Sequence, residues 1–510
     1  MKNRVIPSIV FLFIIQISFA QKRGWQNLDL QKDTVLGISL EKAYDILLKN
    51  KQPKMVIVAV IDSGIDTLHQ DLKSVLWRNP ENGYHGENYL AEERGREDIT
   101  NLASLRKDFY DSLSYEIVPD IYRNDYQTHR KLEEGFRAHV EGMRSFMTEL
   151  ESSSNILNLI VERIGKKNPT LFDFQNYKSQ NNEEKQLISL IIRILPQYPD
   201  FNTFKNAELD LLVRRAQEHL LIGLNLKSLP GKYEMLQTDG NIQYDPLGLV
   251  APPNFTPFHG THVAGIIGAS RFNGIGVDGV ANNVQIMMLK VTSNIRELRD
   301  HNLANAIRFA TDKGASIINL SFGKPYSWNK KEVDDAVKYA MKNDVLIIHA
   351  AGNAGEDLDQ IPHFPNPIYA DSTGIAKAWI EVGASGPKDD STLLASFSNY
   401  GENSVDILAP GVHIYSTIPG NKYDDYNGSS MAAPLVAGVA ALIKEYYPVL
   451  TAVQIKEIIL KSVVKIKHNV VVKRGGQYAS VPFSTICSSS GILNAYNALQ
   501  LASIMSKDSL

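Results

Sequence analysis

The sequence is short of cysteine: Cys487 is the only one in 510 residues. One thiol forms no disulfide within a chain, so the fold must be held by its core, with a bound ion as the one further aid. Cys487 sits in Phe-Ser-Thr-Ile-Cys-Ser-Ser with no base beside it, the setting of a packed thiol rather than of a nucleophile. Long apolar runs are also scarce. Past the N-terminus no segment reaches about 18 uninterrupted apolar residues, which excludes an ordinary membrane-spanning helix there. An excess of one charge is missing too. The formal net charge is -3, which gives no overall pull toward nucleic acid or anionic membrane. There is no internal repeat and no long low-complexity tract. With 44% hydrophobic and 21% charged residues the chain has a globular composition. Its length suits one very large domain or two to three ordinary ones.

The N-terminus does carry an apolar run. Lys2 and Arg4 precede Val5 to Ile17, and Ser18-Phe19-Ala20 places small residues where a signal peptidase needs them. Cleavage after Ala20 is expected, with an uncleaved anchor as the alternative. No cysteine follows the run to carry a lipid. The expected protein is therefore exported, periplasmic or extracellular, with no stable membrane span after cleavage.

Met55 to Ile61 is a continuous apolar run of the kind that a parallel strand buried on both faces requires. Less pure runs recur at Val284 to Val291, Ser316 to Ser321, Val345 to Ala350, Trp379 to Ala384 and Val405 to Leu408. Helical patterns lie between several of them, at His301 to Lys313 and Lys331 to Lys342, and again at Met431 to Tyr446, Ala452 to Val463 and Leu493 to Met505. Such alternation predicts an α/β fold with a doubly wound, mainly parallel sheet and helices on both faces. The middle differs. From about 90 to 245 the chain is polar with helical periodicity, as in Ile156, Leu159, Ile160 and Ile164, in Leu187, Leu190, Ile191 and Ile194, or in Leu209, Leu212, Val213, Ala216 and Leu220. It ends in a loop-like stretch, Ser228 to Pro257. The expected organisation is a signal peptide at 1–20, a catalytic domain at 21–89 and 246–510, and a mostly α-helical insertion at 90–245.

Four short segments carry the chemistry. Asp62 follows the first strand in Val60-Ile-Asp-Ser-Gly, at the strand end where sites form in open α/β sheets. His259 opens a helix, His-Gly-Thr-His-Val-Ala-Gly-Ile-Ile-Gly-Ala, whose small residues imply close packing on the sheet. His262, three positions on, reads as a structural hydrogen bonder. A zinc pair with His259 is the alternative, although the Glu of a His-Glu-x-x-His helix is missing. Asn353 lies among glycines after another buried strand, as a turn residue or as an amide donor to an oxyanion. Ser430 starts a helix in Asn427-Gly-Ser-Ser-Met-Ala-Ala-Pro434, with the proline in the first turn. A serine there is an N-cap, or a nucleophile beside a positive dipole end.

Taken in the order Asp, His, Asn, Ser, these segments resemble the subtilisin-like serine proteases, above all bacterial members with a long segment between the Asp and His motifs. The likeness covers roughly 55 to 78 and 255 to 500. It implies a serine endopeptidase acting on protein or peptide substrates, with Asp62, His259 and Ser430 as the triad and Asn353 in the oxyanion hole. It implies that Ser63 hydrogen-bonds Asp62. It also implies that Ser321, Phe322 and Gly323 pair with extended substrate backbone and that Ala350, Ala351 and Gly352 wall the first specificity pocket. No cofactor is implied for the chemistry. A structural calcium is implied as possible, held by the side chains of Asp71 and Asn273 and the carbonyls of Arg271, Ile275 and Val277. Ser429 stands where the family often has Thr. The stretch from Gln21 to Ile61 is too short for the family's usual folding propeptide, and Trp25 to Lys51 reads as the start of the catalytic domain. The insertion reads as a lid, an inhibitor or a substrate-selecting arm, or as a bundle beside the domain. Two further readings stay open: a non-catalytic peptide-binding module, and an interaction protein whose insertion does the work.

Overall fold

The computed structural model describes residues 23–89, 145, 147–195, 200–205, 257–292, 298–327, 329–474 and 477–508. The signal-like N-terminus, the helix expected around Leu209 to Leu220 and nearly all of the loop before Pro257 lie outside the described residues. The chain divides into two compact units: Gln21–Arg96 with Gln243–Leu510, and Met1–Ala20 with Glu97–Ile242.

The first unit is built on a parallel sheet, as the apolar runs predict. Its strands are β1 (Val56–Asp62), β2 (Gly86–Asn88), β3 (Val284–Lys290), β4 (Ile317–Leu320), β5 (Leu346–Ala350), β6 (Trp379–Ser385) and β7 (Ile407–Pro410). The order across the sheet is β10-β13-β7-β6-β5-β4-β1-β3-β2, where β10 is Val464–Lys465 and β13 is Gly491–Ile492. Every pairing is parallel except that of β10 with β13. The chain leaves β1 toward β3 on one side and returns to β4 on the other, so the crevice at the C-terminal end of β1 is a topological switch point.

Alternation along the strands sorts the core into two layers. Val58, Val60, Ile317, Leu346, Ile348, Ile380 and Val382 point to one face. There they meet α1 (Phe258–Gly268), α4 (Ser429–Tyr446), α5 (Ala452–Lys461) and α6 (Ala495–Asp508). Ala59, Ile61, Ile318, Leu320, Ile347 and Trp379 point to the other, against α2 (Asp300–Asp312) and α3 (Lys330–Lys342). Helix α4 is buried over Met431 to Ile443, consistent with its being apolar all round. Trp25 is buried in the first layer and donates its ring N–H to the Val412 carbonyl at 3.0 Å, so the segment from Trp25 does belong to this unit.

The glycines of α1 have the packing reason that the sequence suggests. A Cβ on Gly260 would stand 2.1 Å from the Gly64 carbonyl oxygen, and one on Gly265 would stand 2.2 Å from Oγ1 of Thr417. The helix is thereby pressed against both the end of β1 and a hairpin, β8 (Ile414–Ile418) with β9 (Lys422–Tyr426), which the apolar runs did not foreshadow. A second hairpin, β11 (Asn469–Arg474) with β12 (Gln477–Pro482), was likewise not legible.

Helix α4 starts two residues earlier than the apolar pattern suggests, which moves Pro434 out of the first turn and into the helix. The missing N–H of Pro434 leaves the Ser430 carbonyl without its helical partner. The Ser321 hydroxyl donates to that carbonyl instead, at 2.9 Å.

The second unit carries its own small core, formed by Leu157, Ile160, Phe174, Ile188, Ile191, Phe201 and their neighbours. Its helices include 147–164, Leu171–Asn176 and Asn182–Ile194. Thr170 and Asp173 cap the second of these reciprocally. Leu159, expected on the buried stripe, is 49% exposed, because the stripe runs through Leu157 and Ile160 instead.

Candidate active site

The ends of β1, β4 and β5 and the starts of α1 and α4 bring the four chemical residues to one edge of the sheet. Asp62 ends β1 and is 2% exposed. Its carboxylate accepts from Nδ1 of His259 through both oxygens, at 2.8 and 3.0 Å. The Ser63 backbone N–H donates to the same carboxylate at 2.7 Å. Ser63 thus bonds Asp62 as expected, through its backbone, while its hydroxyl accepts the Gly260 N–H at 3.2 Å.

His259 keeps 36% of its side chain exposed. Burial pushes its pKa down, but the adjacent Asp62 charge and hydrogen bond push it up and prevail, so it lies above the ordinary 6.5. His262 differs. Burial drives it down to about 3, so it stays neutral. Its Nε2 meets the Asp424 carbonyl at 3.1 Å and its ring stacks on Tyr426 at 4.4 Å. The two histidines therefore face different partners and form no zinc pair. Among the described residues no cluster of three or more His, Cys, Asp or Glu is suited to a metal ion.

Ser430 is the second residue of α4 and is half-buried. Its hydroxyl donates to the Ser321 carbonyl at 2.8 Å, the counterpart of the bond that Ser321 returns. Neither Ser429 nor Ser430 serves as an N-cap; that place is taken by Gly428. The Ser429 hydroxyl accepts the Gly352 N–H at 3.0 Å and donates to Oδ1 of Asn353 at 3.1 Å, and the Ser429 N–H reaches the same Oδ1 at 2.8 Å. With its oxygen so held, Asn353 turns Nδ2 the other way. The position of a Cβ on Gly428 would lie 3.4 Å from Asn353 Nδ2 and 3.5 Å from Ser430 N. Two N–H donors therefore flank one point beside the serine.

Ser321, Phe322 and Gly323 continue from β4, and Ala350 to Gly352 from the neighbouring β5. Gly323 and Asn353 are exposed, Gly352 is partly exposed, and Ala350 and Ala351 are buried. Asn399 is the site residue that sequence reasoning missed. It is fully buried, its Oδ1 accepts the N–H groups of Ala354 and Glu356, at 3.0 and 2.9 Å, and its Nδ2 donates to the Ala351 carbonyl at 2.8 Å. It thus staples the loop on both sides of Asn353. Its only signal was a polar residue between Phe397-Ser398 and Tyr400-Gly401.

Asp71 is wholly buried. It accepts from Nδ2 of Asn273 at 2.6 Å, from the Val277 N–H at 3.0 Å and from the Tyr423 hydroxyl at 3.2 Å, while Oδ1 of Asn273 takes the Ile275 N–H at 3.0 Å. Arg271 turns its guanidinium away, to the Gly279 carbonyl and to Glu41. Of the expected metal residues, Asp71, Asn273, Ile275 and Val277 are thus joined by hydrogen bonds, and the Arg271 side chain is engaged elsewhere.

A doubly wound parallel sheet with an acid, a histidine, an amide and a serine at its switch point defines a hydrolase-like class of α/β protein. The chain belongs to the subtilase family, whose model matches residues 53–479, and with that membership it is a subtilisin-like serine endopeptidase. It is 37% identical over 198 residues to subtilisin DY of Bacillus licheniformis, covering 39% of this chain and 67% of that one. It is 37% identical over 211 residues to a thermophilic serine proteinase of Bacillus sp. (strain AK1), covering 41% and 46%. It is 38% identical over 189 residues to the major intracellular serine protease of Bacillus subtilis (strain 168), covering 37% and 55%. The matched stretch thus spans only about half the length of the last two.

Replacing Asn399 with Ala removes the staple behind Asn353 and leaves the buried Ala351 carbonyl and the Ala354 and Glu356 N–H groups without that partner. The expected loss is about 1–3 kcal/mol of stability, with kcat falling more than KM rises. Denaturant midpoints and steady-state kinetics on a short peptide check both.

Proposed function

We propose that this chain is an exported endopeptidase that hydrolyses peptide bonds through Asp62, His259 and Ser430, by way of an acyl-enzyme. The observation that carries the reading is the two-oxygen contact of Asp62 with His259 Nδ1 at the edge where Ser430 and Asn353 also converge. A carboxylate there fixes the tautomer, so the lone pair of Nε2 is available to accept a proton. As a peptide carbonyl approaches, the Ser430 hydroxyl leaves the Ser321 carbonyl and gives its proton to Nε2 while Oγ bonds to carbon. The oxyanion falls between Asn353 Nδ2 and the Ser430 N–H. Those donors stand in place before reaction, which is what makes such stabilisation large. The imidazolium, steadied by Asp62, gives the proton to the departing amine. Water then repeats the sequence, His259 taking its proton and returning it to Ser430 as the acyl bond breaks. The stretch Ser321 to Gly323 runs out of β4 to an exposed Gly323, where substrate backbone would pair, which suits unfolded or loop peptides. Protein or peptide chains are thus the partners of this reading, and no cofactor enters the chemistry.

A fluorophosphonate probe tests this directly. Wild type is expected to be labelled and Ser430→Ala not; unlabelled, folded wild type would favour a peptide-binding module instead. The pH profile gives a second check. His259 must be neutral to act, and Asp62 raises its pKa, so kcat/KM is expected to fall as pH drops through a value above 6.5. Asp62→Asn removes the raising influence and leaves burial, so the same limb should move to lower pH as the rate collapses by about 10⁴. An unmoved limb would contradict the assignment. The linkage to stability runs the opposite way: the contribution of the His259–Asp62 pair is complete below about 6.5 and is lost as pH rises through the raised value.

We further propose that Asp71 and Asn273, with the carbonyls of Arg271, Ile275 and Val277, hold a stabilising calcium. The buried carboxylate and the tight loop fit it, provided the Asn273 amide turns its oxygen toward Asp71 in place of Nδ2. Calcium at millimolar level should then raise Tm and a chelator lower it, with the dependence lost in Asp71→Asn. A Tm indifferent to both would show that the hydrogen bonds alone secure the loop.

Export and the division into 1–20, 21–89, 90–245 and 246–510 belong to the same proposal. No described helix is long and apolar enough to cross a membrane. N-terminal sequencing of protein from the outer compartment should begin at Gln21; a start at Met1 would refute cleavage.

A further inference from the structure

One row of side chains crosses the middle of the sheet on the face that α4 covers. In register it runs Met288 on β3, Val60 on β1, Asn319 on β4, Ile348 on β5 and Ile380 on β6. All five are fully buried, and only Asn319 is polar. The other four belong to the core layer that contains α4, so the amide of Asn319 points into that layer as well. Packing alone would favour an aliphatic side chain at such a place.

The two ends of the amide fare differently. Nδ2 donates to Oγ of Ser321 at 2.9 Å. Oδ1 is buried with no hydrogen-bond partner among the described residues. A buried oxygen left unmatched costs stability, whereas an apolar side chain of the same shape carries no such cost. A residue that lowers stability in the core directly behind an active site is accounted for by function.

Ser321 links the amide to the nucleophile. Its hydroxyl donates to the Ser430 carbonyl at 2.9 Å, the carbonyl that Pro434 leaves without a helical partner. Its backbone carbonyl accepts from the Ser430 hydroxyl at 2.8 Å. A serine hydroxyl has one proton to give, and an amide has one donating end and one accepting end. With the nitrogen of Asn319 toward Ser321, that proton is left for Ser430. With the oxygen toward Ser321, the hydroxyl would turn to the amide and the Ser430 carbonyl would lose its donor. The orientation of the amide and the lock on the start of α4 therefore imply one another. Asn319 Nδ2, Ser321 Oγ and the Ser430 carbonyl form one hydrogen-bonded chain from the middle of the sheet to the nucleophile.

We propose that Asn319 is a positioning residue for the hydrolysis: acting through the Ser321 hydroxyl, it holds the backbone of Ser430, so that Oγ and the N–H of that residue keep the directions that attack and oxyanion binding need. This rests on the serine-endopeptidase reading and extends its machinery one residue into the core. Asn319, being fully buried, meets no substrate itself.

The test uses the full chain. Asn319→Leu keeps a similar side-chain shape and removes the amide. Its kcat and its rate of labelling by a fluorophosphonate are expected to fall about tenfold, with KM within about twofold of wild type, because the loss falls on the reacting groups and not on substrate binding. Its Tm is expected to hold or rise, since the unmatched oxygen is gone. A part confined to packing would give the reverse, a lower Tm with unchanged rates. A double-mutant cycle with Ser321→Ala isolates the route: beside Ser321→Ala, Asn319→Leu should change the labelling rate by less than about twofold. Should Asn319→Leu fail to fold, Asn319→Ala is read by the labelling rate and the same cycle. Labelling of the folded variant at the wild-type rate, or a loss that persists undiminished beside Ser321→Ala, overturns the inference while the protease reading stands. Folded wild type that takes no label overturns both.

Discussion

Helix α1 meets the end of β1 because residue 260 has no side chain. Any Cβ there would lie inside the van der Waals envelope of the Gly64 carbonyl. That approach fixes where His259 begins, and with it the 2.8 Å contact to Asp62. The Ser63 backbone amide and hydroxyl lie at the same junction, one on the carboxylate and one on the Gly260 N–H, so strand end and helix start are locked as a unit. The opposite side of the site is built likewise. Ser321 and Ser430 exchange hydroxyl-to-carbonyl hydrogen bonds, which pins the start of α4 to the end of β4.

Proline has a constructive part in that second lock. Inside a helix it ordinarily costs a hydrogen bond and introduces strain. Here the carbonyl that Pro434 leaves without a partner is that of Ser430, and a side chain from the neighbouring strand end fills the gap. Ser429 does for the Asn353 loop what Ser321 does for Ser430. Its hydroxyl both accepts and donates, so that the Asn353 oxygen is occupied and the amide nitrogen is turned outward. The Ser429 N–H reinforces the same contact.

Two histidines one turn apart illustrate how environment, and not residue type, sets chemistry. Asp62 beside His259 outweighs its burial, whereas His262 has only a carbonyl and an aromatic face and burial prevails. The former is suited to exchanging protons near neutrality. The latter holds the β8–β9 hairpin against α1.

The strands β1 and β3 to β7 and the helices α2 to α6 could be read from the chain because continuous apolar runs and helical periodicity are local patterns that burial on two faces imposes, whereas the short β2 carries no such run. The hairpins escaped, since β9, Lys-Tyr-Asp-Asp-Tyr, is mostly exposed and carries no apolar pattern. Asn399 escaped for a related reason: one buried amide leaves no periodic trace, and its value lies in partners some 45 residues away. By itself, then, the sequence determined the sheet, the order of the chemical residues and the family, because motif identity and hydrophobic period are properties of short segments. Tertiary structure alone decided which hydroxyl meets which carbonyl and which histidine has its pKa raised and which lowered, because these depend on distances between segments far apart in the chain.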